Sequence, residues 1–295
     1  MSSPKVSVII PAYNRADYIK QTIDSVLNQS YSNIELNVID DGSTDGTREI
    51  LESYGDKLKI LEHPGRVNKG QSAGINLALN IVDGKYTAIL DSDDYWELDK
   101  IEGQVSYLEE NPEIGLVYGN GTAVNENNEY LYDIYGPGHV EENEAGNVLM
   151  DCYFLLPNNS LVRTEVINKA GMFDESLRSA QDHDMAIRIA EITNIAYEDK
   201  IVFHYRRHSD SISNKRADLR WRNGFLILEK AKQRYPYPGH VLRKRKAVLH
   251  FRLFQCLLEK KNIFLAAPHL LLSGIYDPGR VIRVLQGDEK ISSPH

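Results

Sequence analysis

Tyr86-Thr87-Ala88-Ile89-Leu90-Asp91-Ser92-Asp93-Asp94 is a mostly apolar, partly β-branched run that ends in three carboxylates within four positions. Such a run reads as a buried strand, and the acids fall where that strand ends. Asp91 and Asp93 stand two apart, so in an extended stretch they point the same way. Two hard oxygen ligands side by side suit a divalent Mg²⁺ or Mn²⁺ whose remaining positions go to water and phosphate. The alternative is a solvated acidic loop capping a helix that starts near Leu98. What the rest of the chain brings to the same place decides between them.

Upstream, Val6-Ser7-Val8-Ile9-Ile10 reads as a buried parallel strand stopped by Pro11. Ile19, Ile23, Val26 and Leu27 recur at helical spacing beyond it. Ile34, Leu36 and Val38 alternate into Asp40-Asp41-Gly42-Ser43-Thr44-Asp45-Gly46-Thr47, a strand-to-helix turn with Ser and Thr as N-cap candidates. Leu58 to Leu61 reads as a third strand, and Asn68-Lys69-Gly70-Gln71 opens a helix that leads to the acidic run. This alternation predicts a mostly parallel sheet covered on both faces, with ligands beyond the carboxyl ends of its strands. Pro11-Ala12-Tyr13-Asn14, Asp40-Asp41-Gly42-Ser43 and Asp91-Ser92-Asp93 then share one rim.

Downstream the pattern is less regular. A helix through Ile101, Val105 and Leu108, a strand at Gly115–Tyr118, and a hairpin or long surface loop over 126–144 are expected. Ser160–Arg163 reads as a strand and Gln181-Asp182-His183-Asp184 as the acidic start of a helix through Met185 and Ile189. Ile201–Tyr205 is strand-like and leads into Arg206-Arg207-His208, with a flexible flap expected over Ser209–Asn214. Beyond Asn214 the chain turns to long, basic helical patterns. The boundaries expected are 1–100, 101–215 and a helical extension over 216–295. In that extension the apolar run Ile263–Leu272 reads either as a helix packed on the body or as a monotopic contact with a bilayer, helped by Arg243, Lys244, Arg245 and Lys246.

With 295 residues, 42% of them hydrophobic and 26% charged, the composition is that of an ordinary soluble chain with room for a sizeable core. The net charge of −8 argues against a general nucleic-acid binder. Cys152 and Cys256, the only cysteines, are too far apart in sequence for a disulfide framework or a zinc cluster, so a reducing, cytoplasmic compartment is expected. The start of the chain carries no signal-peptide pattern, and no apolar run approaches the ~20 residues of a spanning helix. Any membrane contact is therefore expected to be peripheral, on the inner face.

Val8-Ile9-Ile10-Pro11-Ala12-Tyr13-Asn14, Ile39 to Asp45, Asn68-Lys69-Gly70, Leu90 to Asp94 and Gln181 to Asp184 occur in an order and spacing that resemble glycosyltransferase family 2. The resemblance covers about residues 5 to 215 and implies the GT-A fold, an α/β Rossmann-like sheet flanked by helices. It also implies inverting transfer from a nucleotide-sugar, a UDP-sugar above all, with Mn²⁺ or Mg²⁺. The acceptor is then a hydroxyl of a glycan or lipid-linked molecule in cell-surface polysaccharide or glycoconjugate synthesis.

Carried over by position, the resemblance sets Pro11, Tyr13, Asn14, Asp40, Asn68, Lys69, Asp91 and Ser92 on the nucleotide. Tyr13 lies beside the base and Asp40 accepts from its N–H, while Asp41 is a turn-forming acid or a second contact. Asp93 holds the metal directly, and Asp91 contacts ribose or reaches the metal through water. Asp94 is a weaker ligand candidate or an N-terminal cap. Asp182 is the expected base, alone, because Gln181 stands where the family often has Glu. Asp184 competes for that role, caps the helix or forms a salt bridge. His208 reads as a third metal ligand, a pyrophosphate contact or a surface residue, with Arg206 and Arg207 as alternative phosphate partners.

Two other readings stay open. A sugar-nucleotide nucleotidyltransferase wants a glycine- and lysine-rich loop after the first strand, which Pro11-Ala12-Tyr13-Asn14-Arg15 does not supply. A catalytically inactive binding scaffold is separated by an assay for free UDP.

Overall fold

The structure is a computed structural model and describes residues 3–141, 143–150, 157–208, 217–279 and 282. Cys152 and the flap expected over Ser209–Asn214 lie outside the described residues. Two compact units are present, Met1–Asn143 with Tyr153–Ser209, and Glu144–Cys152 with Asp210–His295.

The first unit opens with β1 (Val6–Ala12), α1 (Ile19–Leu27), β2 (Ile34–Asp40), α2 (Thr47–Glu52), β3 (Lys59–Leu61), α3 (Gln71–Leu79) and β4 (Tyr86–Ile89). It continues through β5 (Tyr95–Trp96), α4 (Lys100–Glu110), β6 (Ile114–Val124) and β7 (Tyr130–Asp133). After α5 (Ala145–Met150), which belongs to the second unit, come β8 (Ser160–Arg163), α6 (Thr164–Ala170), α7 (Gln181–Ala190) and β9 (Asn194–Arg206). The strands form one sheet ordered β3-β2-β1-β4-β8-β6-β9-β5, with β7 paired to β6.

The β3-β2-β1-β4 half is parallel, because helices rather than hairpins connect its strands. Val8, Ile10, Val38, Ala88 and Leu90 are buried there against Ile19, Ile23 and Ile101. Adjacent parallel strands end on the same edge, so the loops after β1, β2 and β4 share a rim. The other half is mixed: β8 runs antiparallel to β4 and β6, and β9 runs parallel to β6.

Three local expectations are corrected. Pro11 does not stop β1, which pairs through Pro11↔Ile39 and Ala12↔Asp40. Ile9 accepts from Leu90 N on the β4 side, and Ala12 accepts from Asp41 N on the β2 side. Pro11 therefore faces the β4 side, whose ladder has already ended at Ile9↔Ile89, so its missing N–H breaks no pair. Second, Asp91–Asp94 is a turn closed by Asp94 N donating to Asp91 O at 3.2 Å, and the two carboxylates of the pair are not carried by an extended stretch. Third, neither Ser43 nor Thr47 caps α2, whose N-cap is Gly46, since both hydroxyls accept from the loop after β1.

The second unit holds α5, α8 (Ala217–Arg234), α9 (Gly239–Glu259) and α10 (Ile263–Tyr276). Phe251, Leu253, Phe254 and Leu257 of α9 bury against Ala266 of α10, with Trp221 and Phe225 of α8 alongside. Gly224 allows the close approach of α8 to α9, since a Cβ there would stand 2.4 Å from Leu249 Cδ2. Along α10 only Ala266 and Ser273 are buried, while Phe264, Leu271 and Ile275 are exposed. Of the basic quartet expected to face a bilayer, Arg245 is buried and donates to Met150 O at 2.8 Å, so it is not available to headgroups. Among the described residues no helix is long and apolar enough to cross a membrane.

Candidate active site

The loops after β1 and β2 are stapled to each other. Asn14, in the left-handed region at φ 52°, donates its N–H to Ser43 Oγ and accepts from Thr44 N at 2.8 Å. Arg15 N donates to Thr47 Oγ1 and Ala16 N to Asp45 Oδ2. Tyr13 is thereby left exposed at the rim, while Pro11 is buried in the strand.

Asp40 is fully buried and its Oδ1 accepts from Ser43 N at 2.9 Å. Its Oδ2 faces Arg66 at 3.2 Å, and Arg48 lies 3.8 Å away. The contact expected between Asp40 and a base requires the half-exposed Arg66 to move aside. Asp41 shapes the next loop, accepting from Lys69 N and Gly70 N, both at 2.8 Å. Asn68 and Lys69 are exposed above it. Gly42 is required here: at φ +80° its Cβ position lies 2.5 Å from Arg66 O.

The acidic turn divides its tasks. Asp91 Oδ1 accepts from Gln71 Nε2 at 2.7 Å, and Oδ2 accepts from Asn158 Nδ2 at 3.2 Å. Burial first, then the charge of Asp93, pushes the Asp91 carboxyl up to about 7, and Asp182 adds to the push. Asp93 Oδ2 lies 3.1 Å from both Arg15 Nε and His208 Nε2. Burial alone would raise Asp93, but the His208 hydrogen bond and the Arg15 charge outweigh it and hold the carboxyl below its ordinary value. Ser92 is buried, with its carbonyl accepting from Thr22 Oγ1.

Asp94 neither caps α4, whose N-cap is Asp99, nor faces a ligand position. It is 1% exposed and accepts from Asn158 Nδ2 at 2.6 Å and Arg206 N at 2.7 Å. Burial and the neighbouring charges of Asp93 and Asp91 push it well above the carboxylate range.

His208 is no surface residue: it is 6% exposed and packs on the Tyr18 ring at 4.9 Å. Arg206 is buried too, spent on Asp93 O, Gln21 and Asn128 and packed against the rings of Tyr18 and Tyr95. It holds the acidic turn rather than facing phosphate. Arg207 donates to Tyr132 Oη.

A divalent hard ion keeps several waters and takes one or two protein ligands plus substrate phosphates. Among the described residues no three Asp, Glu, His or Cys side chains converge into a full cage. Asp93 and His208, 3.1 Å apart, fit the smaller set. The guanidinium of Arg15 against the same Asp93 oxygen shows that the position accepts a cation.

Asp182, half-buried at the start of α7, accepts from His183 N and backs onto an apolar hollow lined by Ile89, Leu116, Val162, Met185 and Ile189. Asp184 is committed to a buried pair with Arg188 at 2.8 Å, which removes it from competition for the base. The start of α7 is joined to the acidic turn through Gln181, Gln71 and Asp91, and the charge of Asp182 adds to the push on the Asp91 carboxyl.

A family model described as glycosyl transferase family 2 matches residues 7–170, more than half of the chain. The chain belongs to glycosyl transferase family 2. It is 32% identical over 216 residues to an uncharacterized glycosyltransferase of Rickettsia prowazekii, covering 72% of this chain and 67% of that one. It is 34% identical over 224 residues to another from Rickettsia bellii and 28% identical over 234 residues to a chondroitin synthase of Pasteurella multocida. The chain spans only 31% and 23% of those two longer proteins, while 72% and 78% of this chain is matched.

The fold is that of S. aureus TarS 1–349 in complex with UDP-GlcNAc, with a TM-score of 0.72 and 21% identity over 92% of this chain and 80% of that one. It is also that of the mannosyltransferase PcManGT from Pyrobaculum calidifontis in complex with GDP-Man and Mn²⁺, at a TM-score of 0.64 and 20% identity over 97% and 85%. The sheet with its flanking helices is therefore a GT-A glycosyltransferase domain.

In this family 2 chain, sequence reasoning left out Arg15, Gln71 and Asn158, which contact the acidic turn directly. Gln71 and Asn158 are uncharged amides with no spacing to mark them. Arg15 follows the Pro11–Asn14 motif immediately, and that adjacency was the available signal.

Proposed function

We propose that this chain is a metal-dependent, inverting glycosyltransferase. It moves a sugar from a nucleotide-sugar, a UDP-sugar in the first instance, to a hydroxyl of a glycan or lipid-linked acceptor in surface polysaccharide or glycoconjugate synthesis. The observation that carries the reading is the meeting of two acidic sites of different design. Asp93 is paired with a buried His208 and a cation, and Asp182 stands at the start of α7, whose first residue Gln181 is linked to Asp91 through Gln71. Donors of the kind bound by the structural neighbours, UDP-GlcNAc and GDP-Man, fit a rim with an exposed Tyr13 and an acid at residue 40.

In this mechanism the donor half is residues 1–100 and the acceptor half is residues 101–215. Tyr13, Asn14, Asp40, Asn68, Lys69, Asp91 and Ser92 bind and orient the nucleotide. Asp93 and His208 would hold Mn²⁺ or Mg²⁺, which when bound supplies Lewis-acid stabilisation of the charge on the departing diphosphate. The acceptor hydroxyl gives its proton to Asp182 as its oxygen bonds to C1. The C1–O bond to phosphate breaks with its electron pair going to the nucleoside diphosphate. Attack from the face opposite the leaving group inverts the anomeric centre.

The exposed apolar residues of α10 support a peripheral contact with the inner face of the membrane. The deciding experiment measures release of nucleoside diphosphate from UDP- and GDP-sugars with and without Mn²⁺. Turnover that needs the metal and disappears in Asp93→Ala is expected. Equal turnover in the presence of chelator would overturn the metal assignment.

A further inference from the structure

Gln181 stands beside the proposed base, and its side chain points back into the donor half. Its Nε2 donates to Gln71 Oε1 at 2.8 Å, and Gln71 Nε2 donates in turn to Asp91 Oδ1 at 2.7 Å. Gln71 thus presents its NH₂ group to Asp91 and its carbonyl to residue 181. Residue 181 must then be a donor. A glutamate there would set two acceptors against each other.

The backbone around the relay is held as tightly. Arg178 Nη1 donates to Lys69 O at 2.6 Å, and its guanidinium covers Gly70 so closely that a Cβ would meet it at 2.2 Å. Asn76 of α3 clamps the turn before α7, exchanging bonds with Phe173 O and Phe173 N at 2.9 and 2.8 Å. Between these anchors Ala180 is held in the left-handed region at φ 63°, a conformation that a non-glycine residue keeps only when its surroundings impose it. Gln71 and Gln181 are the first residues of α3 and α7, so their contact joins two helix starts.

We infer that Gln181 and Gln71 are positioning residues. Their directional amide relay fixes the start of α7, and with it Asp182, at a set distance from Asp91 and hence from the donor sugar. The inference rests on Asp182 being the base, and it assigns the departure from Glu at residue 181 a physical reason. A shift of about 1 Å at a reacting centre costs on the order of a hundredfold in rate, whereas nucleotide contacts on the β1 and β2 loops do not pass through the relay.

The test compares Gln181→Glu, Gln181→Glu with Gln71→Lys, and wild type in UDP release from a panel of UDP-sugars with Mn²⁺. A lysine at residue 71 donates to both acids and re-forms the connection. For Gln181→Glu, kcat is expected to fall at least tenfold while the Kd for UDP changes less than threefold, and Gln71→Lys recovers most of the loss. A wild-type kcat in Gln181→Glu, or a loss carried by UDP affinity, overturns the inference. A separate arm needs no turnover. The melting-temperature losses of metal-free Gln71→Ala and Gln181→Ala are expected to be non-additive, the double variant losing no more than the larger single loss, and simple additivity contradicts the relay. If wild type releases no UDP, the site reading fails, and the melting arm still decides whether the relay exists.

Discussion

Asp91 and Asp93 stand two residues apart and shift in opposite directions: burial and the charge of Asp93 raise Asp91 against its amide contacts, whereas the His208 hydrogen bond and the Arg15 charge outweigh burial and lower Asp93. For Asp91 the folded-state value, about 7, lies above the ordinary carboxyl value of 3.8. The folded protein therefore prefers the protonated form, and the stability associated with this group is lost as pH rises from about 4 through 7. Metal-free wild type should lose melting temperature between pH 5 and pH 8, by roughly 2–4 °C for each kcal/mol, and the uncharged Asp91→Asn should lose less over the same range. Scanning calorimetry at the two pH values checks this, and an equal loss in the Asn variant contradicts it. At this scale the charged positions of the site were legible, because carboxylates and histidine are rare enough at a strand end to be noticed. Asn158, which bonds Asp91 N, Asp91 Oδ2 and Asp94 Oδ2, was not, since a buried amide carries no spacing or charge signature in the sequence.

Helices and strands of the parallel half follow from their patterns: the periodicity of Ile19, Ile23 and Val26 gives α1, and the β-branched runs give β1 and β2. The mixed half is less legible. β6 extends over Ile114–Val124, well past the strand expected at Gly115–Tyr118, through Gly119 and Gly121, which weaken a strand signal locally. Those glycines admit β9: a Cβ at Gly121 would stand 2.1 Å from the Phe203 ring, so partner packing rather than propensity explains the length. In the second unit, α9 and α10 meet at His250 and His269, whose Nδ1 atoms lie 2.8 Å apart. Burial, then the neighbouring His269, pushes His250 down to about 4. A histidine depressed in the folded state resists protonation, so stability falls as pH drops from about 6.5 toward 4 and is unaffected above that range. Thermal melts should show this decline in wild type and a shallower one in His250→Gln. Equal slopes contradict it.

For the molecule as a whole, the order of strand and helix along residues 6–90 made the fold class readable, and the shared rim followed from parallel neighbours ending on one edge. The grouping of α5 with the C-terminal helices was not readable, because a six-residue helix between irregular segments has no pattern that names its partners. Phe264, 93% exposed, and Leu271, 69% exposed, bear on the membrane contact. Burying each in lipid is worth roughly 2 kcal/mol. Sedimentation with anionic phospholipid vesicles should therefore weaken at least tenfold in Phe264→Ser with Leu271→Ser, with UDP release unchanged, while equal sedimentation of the double variant contradicts the contact. The central claim is that one carboxylate takes the acceptor proton at a site separate from the one that binds nucleotide and metal. It is tested most directly by Asp182→Asn, measuring UDP release and UDP–Mn²⁺ thermal stabilisation on the same sample. A ligand at 100-fold its dissociation constant stabilises by roughly 2.7 kcal/mol. That stabilisation is predicted to persist while turnover falls by a factor on the order of 10²–10⁴. Wild-type turnover in Asp182→Asn, or loss of nucleotide binding together with turnover, would contradict the account.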